Sequence, residues 1–270
     1  MKRVRSFSPK TNLIQFKVLC RRYLKQIVTN PWVIVPLLLE APVMLIIVSF
    51  VYEDGAFEVP PMTSAASNTT LFLLVLASAL MGLLNSYREI CKEREILSRE
   101  VFGGLDVTAY ALSKIAVLAL VGFVQSIIIV FGSLVFIDFC MARPAYSLFF
   151  YFVAVFLTNY SVTALGLLVS CLLKKSESAI LPVLVVIIAQ VVFAGALLEF
   201  QAPVKYFYYI TPTMYGTSVL GNVMDMNALV RMREIYDYNI YASIALMLLL
   251  TFVCHALTII KLKRDYRTKD

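Results

Sequence analysis

Residues that carry catalytic or metal chemistry are scarce in this sequence. Its 270 residues include one histidine and five cysteines, and only 15% are charged. The histidine, His255, and the dispersed cysteines show no spacing typical of a metal site. No glycine is followed by lysine, so the phosphate-binding loop G-x-x-x-x-G-K-[ST] is absent. We therefore expect no metal site, no resident cofactor and no ATP hydrolysis within these residues, which means that the chain itself is not an enzyme.

Charge is scarce because apolar residues are in excess. They make up 60% of the chain and give a mean hydropathy of +0.82, whereas soluble domains are about half apolar and about a quarter charged. Six apolar blocks are long enough, or nearly so, to cross a hydrocarbon core about 30 Å thick as a helix of roughly 20 residues. They are residues 32–52, 71–87, 107–137, 146–173, 179–198 and 241–260. We predict an all-α membrane protein with six transmembrane helices and a single domain, 1–270.

Lysine and arginine are distributed unevenly among the loops. Twenty of the 24 fall on one side of the predicted membrane, most of them in residues 1–30, 86–106 and 261–270. Cytoplasmic loops retain basic residues, so we predict both termini in the cytoplasm and a location in the plasma or inner membrane. This bias and the anionic headgroups of the lipid bilayer explain the net charge of +7. No feature indicates nucleic acid.

Two segments outside the spans have informative patterns. Residues 11–29 place apolar side chains on one helical face and basic ones on the other, which is typical of a helix in the cytoplasmic interface. The alternative is that these residues only anchor the chain to the membrane surface, with no functional contact. Residues 200–216 are rich in tyrosine and are interrupted by Pro203 and Pro212, so they cannot form one continuous helix. We predict an external re-entrant hairpin there, between spans five and six.

The most unusual segment is REICKEREILSREVFGGLD, residues 88–106, which holds nine of the 41 charged residues. Ile90, Leu97 and Val101 share a stripe, and Gly103-Gly104 is a typical helix end. Ion pairs one helical turn apart add only about 0.2–0.5 kcal/mol each, which does not explain so many charges. We interpret residues 88–104 as a short cytoplasmic helix that binds another protein. The alternative is a charged turn without a partner.

At these residues the sequence resembles the G-type ABC exporters. The stretch LMGLLNSYREICKEREILSREVFGGLDVTAYALSKIAVLALVGFVQSIIIV is similar to their second span, coupling helix and third span. The bacterial pattern E-x-x-K-E-R…R-E-x-x-x-G-L…A-Y…S-K falls on Glu89, Lys92, Glu93, Arg94, Arg99, Glu100, Gly104, Leu105, Ala109, Tyr110, Ser113 and Lys114. A second match begins at SAILPVLVVIIAQ and ends at TPTMYG. This chain departs from the subfamily in lacking the nucleotide-binding domain.

The resemblance implies an assembly and a set of roles. Two separate ABC ATPase subunits would bind ATP and Mg²⁺, and a second permease chain, identical or related, would complete the membrane part. Coupling to the ATPase would involve Arg88, Glu89, Glu93, Arg94, Glu95, Arg99 and Glu100. The substrate pathway would be lined by Leu73, Leu76, Leu80, Val183, Ile187, Gln190 and Ala194, with an outer gate at Leu197 and Leu198. For each apolar residue of the pathway and the gate, the alternative is that it is an ordinary packing or lipid-facing residue.

Glu40 is the most unusual single residue, because it lies near the middle of the first apolar block. A carboxyl group at that depth costs several kcal/mol unless it is protonated or paired. We name Gln125, Asn159 and Gln190 as candidate partners, and structural hydrogen bonding and proton coupling as alternative roles. The expected function is that of a permease subunit in an ATP-driven exporter. It would move a lipid, glycolipid, peptide or drug outward by alternating access; the alternative is an ion-coupled secondary transporter or channel that uses Glu40.

Overall fold

The computed structural model describes residues 12–57, 64–139, 143–175, 177–196, 203–229 and 234–266. Throughout these ranges the regular structure is helical, with no β-strand. The helices are α1 (Leu13–Thr29), α2 (Pro31–Val51), α3 (Ser64–Ser86), α4 (Arg94–Phe102), α5 (Val107–Ser133), α6 (Pro144–Leu172), α7 (Ile180–Val192), α8 (Pro212–Val223), α9 (Met226–Leu229) and α10 (Ile240–Asp265). Short 3-10 turns cover Cys91–Glu93, Glu177–Ala179, Val204–Ile210 and Glu234–Asp237. This confirms the predicted all-α class.

Five described segments are long and apolar enough to cross a membrane. They are Pro31–Val51, Ala66–Phe102, Val107–Ser133, Pro144–Leu172 and Ile240–Asp265. The chain is therefore a multi-pass membrane protein. The fifth apolar block, 179–198, is helical only as far as Val192, because Gly195 takes a φ of +73° that redirects the backbone. The count of six spans stays a prediction, since residues 197–202 lie outside the described part of the chain.

Three helix boundaries differ from the sequence prediction for physical reasons. Helix α3 begins at Ser64 rather than 71, since its polar first turns are buried: Ser67 donates to Ala56 O, and Asn68 to Ala196 O at 2.7 Å. Helix α8 begins at Pro212, a residue whose fixed φ suits a first helical position, and continues to Val223, beyond the end of the predicted hairpin. Its residues 212–221 are all buried. Helix α10 extends to Asp265.

Helix α6 lies at the centre of the bundle and contacts α3, α5, α8 and α10. The approach of α3 to α6 depends on small residues. A Cβ on Gly82 of α3 would overlap the carbonyl oxygen of Asn159 in α6, and one on Gly166 of α6 would overlap Ser86 Oγ. Small residues at a membrane helix interface let the backbones pack closely. In contrast, α2 is peripheral and buries only Ala41, Leu45 and Val48.

We predict that Gly82→Val destabilises the protein by about 1–3 kcal/mol or more, because the added atoms meet backbone that cannot move aside. Thermal unfolding in detergent, followed by circular dichroism, would measure the loss. Ala116→Val adds a similar volume at an exposed position of α5 and is the control. Equal midpoints for the two variants would contradict this account of the α3–α6 contact.

Candidate functional site

The segment 88–104 begins where α3 ends, and the backbone amides of its first residues are bonded to α6. Ser170 Oγ of α6 accepts hydrogen bonds from Ile90 N at 2.9 Å and Cys91 N at 3.1 Å. A 3-10 turn and α4 follow, so the helix is shorter than the predicted 88–104. Gly104, with a φ of 97°, then redirects the chain, and Asp106 caps α5 by accepting from Thr108 N at 2.9 Å.

One side of this segment packs on the rest of the protein. Ile90 and Leu97 are both 1% exposed, and Val101 is partly buried beside them. They join an apolar cluster with Leu19 and Tyr23 of α1. The predicted stripe of Ile90, Leu97 and Val101 therefore faces inward and fixes which side of α4 remains accessible.

A buried ion cluster lies at the base of the segment. Lys114 of α5 is only 3% exposed, and its Nζ contacts Glu89 Oε2 at 3.1 Å and Glu93 Oε1 at 2.8 Å. Tyr110 OH donates to Glu93 at 2.8 Å, and Tyr23 OH donates to Glu89. Because two carboxylates share one buried ammonium, Lys92 supplies the second positive charge through its ion pair with Glu89, and the two tyrosine hydroxyls donate hydrogen bonds to the carboxylates.

Tyr23 acts as a fixed donor in this cluster. Burial, and then the charge of Glu89, raise the pKa of the Tyr23 phenol well above its usual range. The phenol therefore keeps its proton at physiological pH. The Lys114 ammonium lies 3.6 Å from the centre of the Tyr23 ring, which adds a cation–π contact.

Two further ion pairs tie the segment to neighbouring helices. Arg22 of α1 binds both carboxylate oxygens of Glu100, at 2.6 and 3.1 Å. Arg94 binds Asp265 of α10 at 3.1 Å and the backbone oxygen of Cys171 at 2.5 Å. The contact with Glu100 raises the pKa of Arg22 further, so the pair stays charged. Exposed pairs of this kind contribute at most about 1 kcal/mol each, so they orient the segment more than they stabilise it.

The predicted coupling residues therefore divide into two groups. Four of the seven bond to their own chain: Glu89, Glu93, Arg94 and Glu100. The other three are exposed: Arg88, Glu95 and Arg99.

The accessible side of α4 carries apolar residues that the sequence analysis missed. Phe102 is 86% exposed and Ile96 is 56% exposed, next to the exposed charges of Glu95 and Arg99. We call these four residues the docking face. The sequence could have predicted this exposure, because Ile96 and Phe102 fall outside the stripe of Ile90, Leu97 and Val101. The many charged residues around them drew the interpretation to charge instead.

Of the three partners predicted for Glu40, one, Gln125, forms a hydrogen bond with it. Gln125 Nε2 of α5 donates to Glu40 Oε2 at 2.9 Å and to Leu37 O at 3.1 Å, and Gln125 Oε1 accepts from Asn85 Nδ2 at 3.0 Å. The other two candidates bond elsewhere. Asn159 accepts from Thr163 Oγ1 at 3.5 Å, and Gln190 accepts from Thr213 N at 3.3 Å.

The described pathway residues lie on α3, on α7 and, for Ala194, in the turn that follows α7, and they differ in exposure. Leu73, Leu76 and Leu80 are half-buried along one side of α3. Val183, Gln190 and Ala194 are buried by the chain itself, and Ile187 is half-buried. Leu197 and Leu198 lie outside the described residues. The roles of all these residues in transport stay predictions.

Comparison with known proteins agrees with this architecture. Residues 14–224 match the family described as ABC-2 type transporter. The chain belongs to this family. It is also 31% identical over 228 residues to an ABC transporter ATP-binding/permease protein of Mycobacterium tuberculosis. That alignment covers 80% of this chain and 26% of the relative, so the chain spans about a quarter of that protein's length.

The family membership makes the chain a membrane subunit of an ABC transporter, and the matched range contains the whole ion cluster and docking face of this permease. In the relative, ATP-binding and permease parts are named in one protein. The permease described here presents its cluster at the end of the bundle where α1, α4 and the end of α10 meet.

We predict that Lys114→Met loosens the segment, because it removes the buried cation shared by Glu89 and Glu93 and leaves Lys92 to pair with Glu89 alone, at a cost of about 3–5 kcal/mol. Hydrogen exchange of the amides in residues 88–104 should accelerate strongly. A variant that also carries Glu89→Gln and Glu93→Gln contains no buried charge at these positions and should recover part of the protection. Protection unchanged by Lys114→Met would refute the importance of the cluster.

Proposed function

We propose that this chain is the permease of an ATP-driven exporter, and that a separate ABC ATPase subunit binds its docking face. The proposal goes beyond the membrane-subunit role that family membership establishes. The observation that carries it is the contrast between the two sides of segment 88–104. One side is bonded to α1, α5, α6 and α10, while the other presents Ile96 and Phe102 uncovered.

The docking face has the composition of a protein contact. Aromatic residues in the centre of an interface contribute most of the binding free energy when they fill a pocket on the partner. Phe102 can serve as such an anchor at one edge of the docking face and Ile96 as a second at the other edge, with the charges of Glu95 and Arg99 between them. At 86% exposure, the Phe102 side chain is accessible to such a pocket.

The firm attachment of the segment suits a coupling role. Because buried ion pairs and Ser170 connect it to α5 and α6, displacement of α4 by a partner would reach the membrane-spanning helices without being absorbed by a loose loop. Glu93, Arg94 and Glu100 act in this scheme by holding the segment to the bundle, not by direct contact with the ATPase.

The remaining parts of the proposal follow from the family resemblance. Two ATPase subunits bind ATP and Mg²⁺, and a second permease chain completes the assembly. The side of the bundle that carries α4, α1 and the end of α10 faces the cytoplasm, which agrees with its basic loops. The cargo is a hydrophobic or amphipathic molecule that is moved outward.

We predict that Phe102→Ala weakens binding of the ATPase roughly 30-fold, which corresponds to about 2 kcal/mol. Co-purification from membranes and titration of the purified permease with the ATPase would measure this change, together with stimulation of ATP hydrolysis. Phe252→Ala removes an equally large, 71% exposed side chain from the middle of α10 and is the matched control.

Two results would contradict the proposal. One is that a permease carrying both Phe102→Ala and Arg99→Glu binds the ATPase with wild-type affinity and stimulates its ATP hydrolysis to the wild-type extent. The other is transport by the purified chain in vesicles that contain neither ATPase nor ATP, which would favour an ion-coupled transporter.

A further inference from the structure

A cavity of about 280 Å³ lies between α1, α2, α3 and α5. Its apolar wall is formed by Ile27, Val33, Pro36, Leu37, Leu84 and Leu118. The volume is close to the lower limit of small-molecule sites, which span about 300–1,000 Å³. It suffices for a polar headgroup and the first carbons of an attached chain.

The two ends of the cavity differ in charge. At the end near α4 lie Glu89 and Lys92, which form an ion pair with each other. Glu40 and Asn85 lie in the part formed by the spans. No lysine or arginine among the described residues forms an ion pair with Glu40. The spans therefore place a carboxyl group at the cavity for which the described part of the chain supplies no ion-pair partner.

The Glu40 carboxyl is held in position by neutral donors. Gln125 uses its amide nitrogen on both Glu40 and the carbonyl of Leu37, and Asn85 in turn holds the amide oxygen of Gln125. This arrangement fixes the carboxyl group without neutralising it. A carboxyl group within a membrane is costly unless it is protonated or paired, and a cationic ligand would supply the pairing.

The cavity is accessible from the side between α2 and α3. Val33, Pro36 and Leu84 line it and are also exposed on the surface of the chain. These are apolar residues on membrane-spanning helices, so the molecules that reach the opening come from the bilayer. A ligand that uses this route needs an apolar chain as well as a polar group.

We propose that this cavity binds an amphipathic amine from the leaflet nearest α4. The ammonium group donates a charge-assisted hydrogen bond to Glu40, and the apolar chain lies along Val33 and Leu84. Headgroups that carry negative charge and no ammonium group are repelled by Glu40. That the amine is the transported cargo rests on the proposed function; its binding does not, because the site lies wholly within the permease and away from the docking face.

The test uses the purified permease in nanodiscs of phosphatidylcholine and phosphatidylglycerol, without ATPase. The probes are dodecylamine with a photoreactive diazirine on its chain and dodecanol with the same group. We expect the amine to label peptides containing Val33–Leu37 and Leu84 about tenfold more than the alcohol does. The labelled peptides are identified by mass spectrometry.

Matched variants separate the ion contact from general partitioning into lipid. Glu40→Gln retains an oxygen that can accept from Gln125, so the fold is kept, and amine labelling should fall to the level of the alcohol. Asp138→Asn removes an exposed carboxyl group remote from the cavity and should leave labelling unchanged. Leu84→Trp fills the opening and should reduce labelling by either probe.

A competition arm distinguishes the sources of the amine. If added phosphatidylethanolamine suppresses labelling, the occupant is a lipid headgroup; if it does not, the occupant is a free amphipathic amine. Equal labelling by amine and alcohol, labelled peptides outside the cavity wall, or wild-type amine labelling in Glu40→Gln would each overturn the proposal. None of these outcomes bears on ATPase binding at Phe102, so the two proposals fail separately.

Discussion

The buried ammonium of Lys114 is the contact on which the α4 end of the molecule depends. It lies on α5, and its two carboxylate partners come from the turn that leads into α4. Because separating these groups would leave uncompensated charge in a region of low dielectric, the turn can move only together with α5. Tyr23 and Tyr110 extend the same constraint to α1 and to the preceding turn of α5.

The rigid and the loosely packed parts of the bundle lie next to each other. Helices α3 and α6 are held at close distance by Gly82 and Gly166, and most of the α3 segment is buried. Only 17% of the α2 segment is buried, and Gln125 of α5 ties it to the bundle by donating hydrogen bonds to Glu40 and to Leu37 O. Displacement of α2 therefore loses little packing, and the cavity lies along this weakly packed side.

The sequence predicted the fold class because composition and apolar blocks report directly on the surrounding lipid. It also predicted the glycine end of α4, which is a local feature. It could not assign the charges of 88–104, since their partners lie 25 residues away for Glu89 and 171 for Arg94. Hydropathy likewise missed the start of α3, because polar residues such as Asn68 point into the protein and not into lipid.

Segment 88–104 has charges that are paired within the chain on one side and exposed side chains on the other, and this has a physical consequence for coupling. A charge that is already paired inside the protein is weakly screened by salt and cannot be offered to a partner, so the many charges serve to give α4 one orientation. In the proposed complex, recognition is then left to the side chains outside the ion cluster, above all Phe102 and Ile96. An apolar anchor on a firmly oriented helix can transmit displacement from the partner to the spans and from the spans to the partner. Neither its contact with the partner nor the ion cluster that orients the helix has to break and form again during a transport cycle. A partner that displaces α4 would therefore also displace α5, the helix that holds Gln125 against Glu40 at the cavity.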